Sequence, residues 1–247
     1  MSSRLRSWYS RAYRALPVPR SVAAVPRLPA DPWSRRFGLD RGRPVDRVFI
    51  ERFLSEHAAD VRGRVLEVYE PTYTQRFGGS RVTSSEVVDA SAANPRATLV
   101  GDLRVGGWLP HRAFDCVILT QTVQFAPEPP AMVAVVEAAL APGGVLLATF
   151  PGVSHRSRAG EEAPFFEQWR FTSDGVRSLF AGSGLRADVR AHGNLAACAA
   201  FLYGMAEHET HPRAFAYDDP DYELVVCARA CAPGRDPNGF RTSQETV

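Results

Sequence analysis

The sequence predicts a doubly wound, mostly parallel α/β sheet, and three observations carry that prediction. Short apolar runs suited to buried strands alternate with amphipathic stretches suited to helices. One run, FDCVIL (114–119), has the continuous apolar character of a strand covered on both faces. An amphipathic segment and the turn Pro142-Gly143-Gly144 lead from it to a second apolar run, VLLATF (145–150). Strand, helix, turn and strand in that order are the unit from which such sheets are built.

Pro44 to Val61 reads as the first firm helix, because Val45, Val48, Phe49, Phe53 and Leu54 recur at three- to four-residue spacing with charges opposite. Arg64–Glu70 and Arg81–Val88 read as strands, and Ala97–Val100 as a short strand ending at Gly101-Asp102. Phe114–Phe125 opens as a buried strand. Pro130–Leu140 is an amphipathic helix stopped by the Pro-Gly-Gly turn, and Val145–Phe150 is the next strand. Ser173–Ala181 combines an N-cap with helical spacing. Asp188–Ala191 and Glu223–Ala230 finish the sheet, with the helical stretch 195–209 between them.

This organisation divides the chain into a helical, Arg- and Pro-rich N-terminal extension (1–43), the α/β domain (44–231) and a polar tail expected to be disordered (232–247). Residues 1–30 hold six Arg and no acid, with Trp8, Tyr9 and Tyr13 among them. The segment 17–32 is too rich in proline to be one helix. Such an arm could meet nucleic acid, an anionic surface or a partner, or simply extend the chain. A net charge of +2 argues against a general nucleic-acid binder. Whether the chain pairs with a second copy of itself stays open.

Composition excludes some chemistry. All 29 basic residues are Arg, so Schiff-base catalysis, a pyridoxal phosphate anchor and a phosphate-loop lysine are impossible. Cys116, Cys198, Cys227 and Cys231 form no C-x-x-C pair, and three lie in apolar runs, as buried thiols of a reducing cytosol do. His208 and His211 are spaced by three rather than four residues, with no third ligand evident nearby, so no metal site is expected. The longest mostly apolar stretch, Leu195 to Ala206, falls short of the roughly 20 residues a membrane span needs. The N-terminus has no apolar segment of a secretory signal. The expected location is therefore the cytoplasm.

In an open α/β sheet, ligands bind beyond the carboxyl ends of the strands, near the switch in strand order. The stretches to examine are 67–76, 86–89, 102–103, 120–124 and 151–155, whose acids and amides suit a polar ligand carrying hydroxyls and amines. LEVYEP (66–71), Glu86 nineteen residues after Glu67, GDL (101–103), FDCVILTQTVQF (114–125) and LAPGGVLLATFPG (140–152) occur in a family's order. In that order they resemble the motifs of class I methyltransferases dependent on S-adenosylmethionine (SAM). A closer resemblance is to a bacterial methyltransferase-like group, on FGLDRGRPVDR (37–47), YTQRFGG (73–79), TQTVQF (120–125) and WRFT (169–172).

The resemblance implies a Rossmann-like fold, SAM as cofactor, and methyl transfer to a small molecule or to a glycan or secondary-metabolite intermediate. It implies that Glu67 orients the methionine end of the cofactor and that Glu86 accepts from both ribose hydroxyls. Asp102 would accept from the adenine amine, with Leu103 beside the ring. Thr120 and Gln121 would border the methionine and the methyl group. His155 is the best-placed base, and Trp169 and Arg170 could line the acceptor pocket.

One departure bears on all of this. The family carries a G-x-G-type loop after the first strand, whereas here Tyr69-Glu70-Pro71-Thr72-Tyr73 stands there, with no glycine before Gly78. The short interval before the next strand leaves little room for the usual helix. Either Tyr69 packs against SAM on another loop path, or the chain is a methyltransferase fold acting as a non-catalytic binding subunit or in other chemistry.

Overall fold

The computed structural model describes residues 29–157 and 166–234. Most of the Arg- and Pro-rich extension, and the tail beyond residue 234, lie outside the described residues. From Trp33 onward, seven strands form one sheet: β1 (Gly63–Val68), β2 (Val82–Asp89), β3 (Leu99–Val100), β4 (Phe114–Thr120), β5 (Leu140–Pro151), β6 (Arg186–His192) and β7 (Val225–Cys231). Their order is β3-β2-β1-β4-β5-β7-β6. All neighbours pair in parallel except β7, which runs antiparallel to both β5 and β6. The switch in strand order falls between β1 and β4.

The helices are α1 (Val45–Glu56), α2 (Pro129–Ala139), α3 (Ser173–Ala181) and α4 (Leu195–Leu202). Alternation along each strand divides the core into two layers. Val65, Cys116, Ile118, Val145, Leu147 and Cys227 face Phe49, Ile50 and Phe53 of α1 and Phe201 of α4. Leu66, Val117, Leu119, Leu146, Ala148 and Val226 face Met132 and Val136 of α2 and Val176 and Phe180 of α3. Cys116, Cys198 and Cys227 are therefore core residues. Burial pushes the Cys198 thiol up to about 11 and raises the other two further.

Several element boundaries differ from the sequence reading. β1 ends at Val68, because Tyr69 adopts φ +72° and leaves the strand. β4 ends at Thr120, and Val123–Phe125 is a 3-10 turn. The Pro-Gly-Gly turn is the irregular start of β5 rather than a stop before it. Gly143 N–H donates to Pro233 O and Ala232 N–H to Gly144 O, which carries strand pairing into the turn. The helix from Leu195 ends at Leu202, and only Glu207–Glu209 is helical again, as a 3-10 turn. Gly204, at φ +69°, causes the break: a Cβ there would lie 2.2 Å from Ser34 O.

Residues 33–43, placed with the extension by sequence, pack on this break. Trp33 N–H donates to Tyr203 O and its ring lies 5.2 Å from that of Tyr203, while Glu207 N–H donates to Arg43 O. His208 sits against Gly42 in this contact, and no group of three or more metal-ligating side chains is assembled among the described residues. No described helix is long and apolar enough to cross a membrane.

Two side chains hold the start of α3: Thr172 Oγ1 accepts from Gly175 N–H at 3.1 Å and the Glu223 carboxylate from Ser173 N–H at 2.8 Å. Thr172→Ala is expected to cost about 1 kcal/mol. In a domain of this size that lowers Tm by roughly 2–4 °C in a thermal melt. Thr172→Ser, which keeps the acceptor, should melt within 1 °C or so of the parent.

Candidate functional site

The carboxyl ends of β1, β2 and β4 open into a cleft of about 890 Å³. Its walls include Glu67, Tyr69, Asp89, Asp102, Leu103, Thr120, Gln121 and Met132. A pocket of this size at the strand-order switch is where a doubly wound sheet binds its ligand. Glu67, Tyr69, Asp102, Leu103, Thr120 and Gln121 are thus brought together around one space.

Glu86 is not among the lining residues. It lies three residues before the end of β2, where its carboxylate accepts from Thr98 Oγ1 at 2.6 Å and pairs with Arg64 at 3.2 Å. The acid at the strand end is Asp89. Asp89 accepts from Ser91 N–H at 2.8 Å and from Asn94 Nδ2 at 2.7 Å. A carboxylate offers about four lone-pair sites, so two remain. Asp89 belongs to the 86–89 stretch that sequence singled out, but the choice within it depends on where the strand ends.

Glu67 is buried and its carboxylate faces backbone donors. It accepts from Tyr73 N–H at 3.0 Å, and from Thr74 N–H and Oγ1 at 2.7 Å each. Burial raises its carboxyl above the ordinary value, against these hydrogen bonds. The bonds anchor a single π-helical turn, Thr74–Gly78, where a longer connection would hold a full helix. Tyr69 begins that connection, with its N–H donating to Val88 O and Glu70 N–H returning to Val68 O. A three-residue turn centred on φ +72° is a strained conformation that glycine takes far more readily. Asn94 Nδ2 holds the Tyr69 carbonyl at 2.7 Å, and Arg96 pairs with Glu70 at 2.7 Å.

Asp102 is engaged by Arg104, which donates to both carboxylate oxygens from its side chain and to one from its N–H. The guanidinium holds the Asp102 carboxyl below its ordinary value. Gln121 leaves β4 at φ +49°, and its N–H donates to Thr149 O at 3.0 Å and meets Thr149 Oγ1 at 3.2 Å.

His155, Trp169 and Arg170 do not line the cleft. The His155 ring stacks on Phe37 at 3.8 Å, and its Nδ1 lies 2.9 Å from Arg156 O. A carbonyl only accepts, so Nδ1 carries a proton, and Nε2 is buried with no hydrogen-bond partner. Trp169 Nε1 donates to Ala126 O at 2.8 Å. Arg170 pairs with Glu167 at 2.9 Å and donates to His155 O at 2.6 Å. These two side chains brace the loop after β5.

Arg47 and Asp46, at the start of α1, were not anticipated from sequence as site residues. Their helical position suggested ordinary surface charges. Arg47 lines the cleft beside Tyr73, and burial raises the Tyr73 phenol against the pull of Arg47. Asp46 is 7% exposed, and burial raises its carboxyl above the ordinary value.

No family model matches the sequence, and no curated protein matches it. Among solved structures, the chain is similar to one in the complex between the Haloferax volcanii Trm112 methyltransferase activator and a protein assigned there as a methyltransferase. That likeness has 16% identity over 76% of this chain and 93% of the other, with a TM-score of 0.51. The chain is also similar to DhpI in its complex with S-adenosylhomocysteine (SAH), at 18% identity over 78% and 88% of the two chains, with a TM-score of 0.48. The first of these likenesses concerns the fold alone, a Rossmann-like sheet.

Two measurements check this geometry. Tyr69→Gly is expected to melt at or above the parent temperature, because it relieves left-handed strain of about 1 kcal/mol. Tyr69→Val, β-branched at the same φ, should melt clearly below the parent. The second concerns pH. The folded carboxyl of Asp46 titrates above its unfolded value, so its contribution is favourable at low pH and is lost as pH rises through the folded pKa. Arg47 opposes that shift and Glu51 adds to it. Asp46→Asn should therefore melt above the parent at pH 7. The gap should close below about pH 4, where Asp is protonated in both states.

Proposed function

We infer that the cleft binds SAM and that the chain is a methyltransferase acting on a small molecule or on a glycan or secondary-metabolite intermediate. The observation that carries this reading is a single cleft at the strand-order switch that joins Asp89, Asp102, Thr120 and Gln121 around one space. The residues fit the cofactor's chemistry at most points. Asp89, with two lone-pair sites unused, would hold the ribose hydroxyls. Leu103 and Met132 would flank the adenine ring, and Thr120 and Gln121 the methionine end. Glu67 would act through the loop it anchors, and Tyr69 would pack on the cofactor from the turn that replaces the glycine loop.

SAM, when bound, supplies an already activated methyl group, so the chain's own task is alignment of the acceptor. Alignment can contribute roughly 7–11 kcal/mol in favourable cases.

A second reading has its own support. Asp102 is already saturated by Arg104, and an adenine amine would compete with that guanidinium. Together with the strained Tyr69 turn, this favours a methyltransferase fold that binds another ligand or acts without methyl transfer.

Calorimetry separates the two. SAM and SAH are expected to bind in the micromolar range, about −8 kcal/mol. Asp89→Ala should weaken binding by about 1.5–3 kcal/mol, as for hydrogen bonds to a charged group, and Glu86→Ala should leave it unchanged. Absence of heat at millimolar SAM, with folded protein, decides for the second reading.

A further inference from the structure

Beside the cleft lies a second cavity of about 220 Å³. It shares Leu39, Arg47, Gln121 and Phe125 with the cleft, and Phe37, Phe201 and Leu224 give it apolar walls. Two side chains that line it are more than nine-tenths buried and incompletely partnered. Asp46 is 7% exposed and its Oδ1 has no hydrogen-bond partner. Gln124 is 4% exposed; its Nε2 donates to Gln121 O at 2.9 Å, but its Oε1 accepts nothing.

Both orphan atoms are acceptors, and leaving a buried acceptor unpaired is unfavourable. Each orphan atom needs a hydrogen-bond donor. A carboxylate or phosphate ligand has none, and a lone hydroxyl has one proton to offer two acceptors. An ammonium has three, and its charge compensates that of Asp46. Among the described residues the lining carries the carboxylates of Asp46 and Glu167 and the guanidinium of Arg47, with Glu167 already paired to Arg170 at 2.9 Å. The rings of Phe37, Phe125 and Phe201 offer a surface for an apolar body and quadrupoles that favour a cation.

We propose that this cavity is a subsite for the primary amine of a small, largely apolar molecule, with Asp46 and Gln124 as its hydrogen-bond acceptors. As the acceptor position next to the cofactor, it deepens the reading of the cleft as a SAM site. Amine binding itself does not require SAM.

The test titrates the full chain with phenethylamine, 2-phenylethanol and 3-phenylpropionate by calorimetry, each with and without SAM. The amine is expected to bind at least tenfold more tightly than the alcohol, and the carboxylate not at all. Asp46→Asn should weaken amine binding at least tenfold while keeping SAM affinity within about threefold, and Gln124→Leu should weaken the amine severalfold. Equal binding of amine and alcohol would falsify the proposal, as would undiminished amine binding by folded Asp46→Asn. Should that variant fail to fold, the ligand series on the parent and on Gln124→Leu decides. SAM binding without amine binding sinks the subsite and leaves the cofactor reading. Amine binding without SAM binding does the reverse.

Discussion

A buried carboxylate that must find donors shapes the ligand-binding end of this molecule. Glu67 sits at the centre of the sheet, where leaving a carboxylate uncompensated is costly. The chain between β1 and β2 answers by folding its Tyr73 and Thr74 amides back onto it. That requirement sets the path of the whole connection. It fixes the single turn Thr74–Gly78, brings the Tyr73 ring toward Arg47, and forces the chain to reverse at Tyr69. Removing the carboxylate would strand two backbone donors and a hydroxyl at the floor of the cleft, so the wall and its support are one structure.

Much of the fold was legible because local chemistry and tertiary demand agree. The bounds of α3 can be read from sequence, since a Thr cap and apolar spacing are both local. The apolar run at 114–119 shows a strand covered on both faces, and Cys116 and Val117 do point into opposite layers. Where the reading slipped, the causes differ. The stop after Leu202 is local: Gly204 takes φ +69°, its N–H donates to Phe201 O and Met205 N–H to Ala200 O, the bonds that close a helix on a glycine. The start of β5 at Leu140 is invisible from Pro142-Gly143-Gly144, because residues 232–233 complete its pairing.

The site was legible at the level of stretches and less so at the level of side chains. The rule that ligands gather beyond the carboxyl ends of strands picks out 67–76, 86–89, 102–103, 120–124 and 151–155, and each of them reaches a cavity. Choosing Asp89 over Glu86 needs the register: Val88 pairs with Leu99 and Asp89 with Val100, which carries β2 three residues past Glu86. Asp46 and Arg47 were missed for a different reason. A charge in the first turn of an amphipathic helix is ordinarily solvated, and only the packing of the chain around α1 shows that these two are not.

The backbone itself marks the same place. Among the described residues four that are not glycine adopt left-handed φ, and two of them, Tyr69 and Gln121, directly follow β1 and β4, the strands on either side of the topological switch. Each such conformation costs of order 1–3 kcal/mol and persists only where its surroundings over-determine it. Here the surroundings can be named: Val88 O and Asn94 on Tyr69, and Thr149 on Gln121. Both residues line the large cleft, and Gln121 also belongs to the wall shared with the smaller cavity. A turn that relaxed at either strand end would reshape that wall, so the strain keeps the two spaces adjacent. Function in a widely shared fold resides in such local departures.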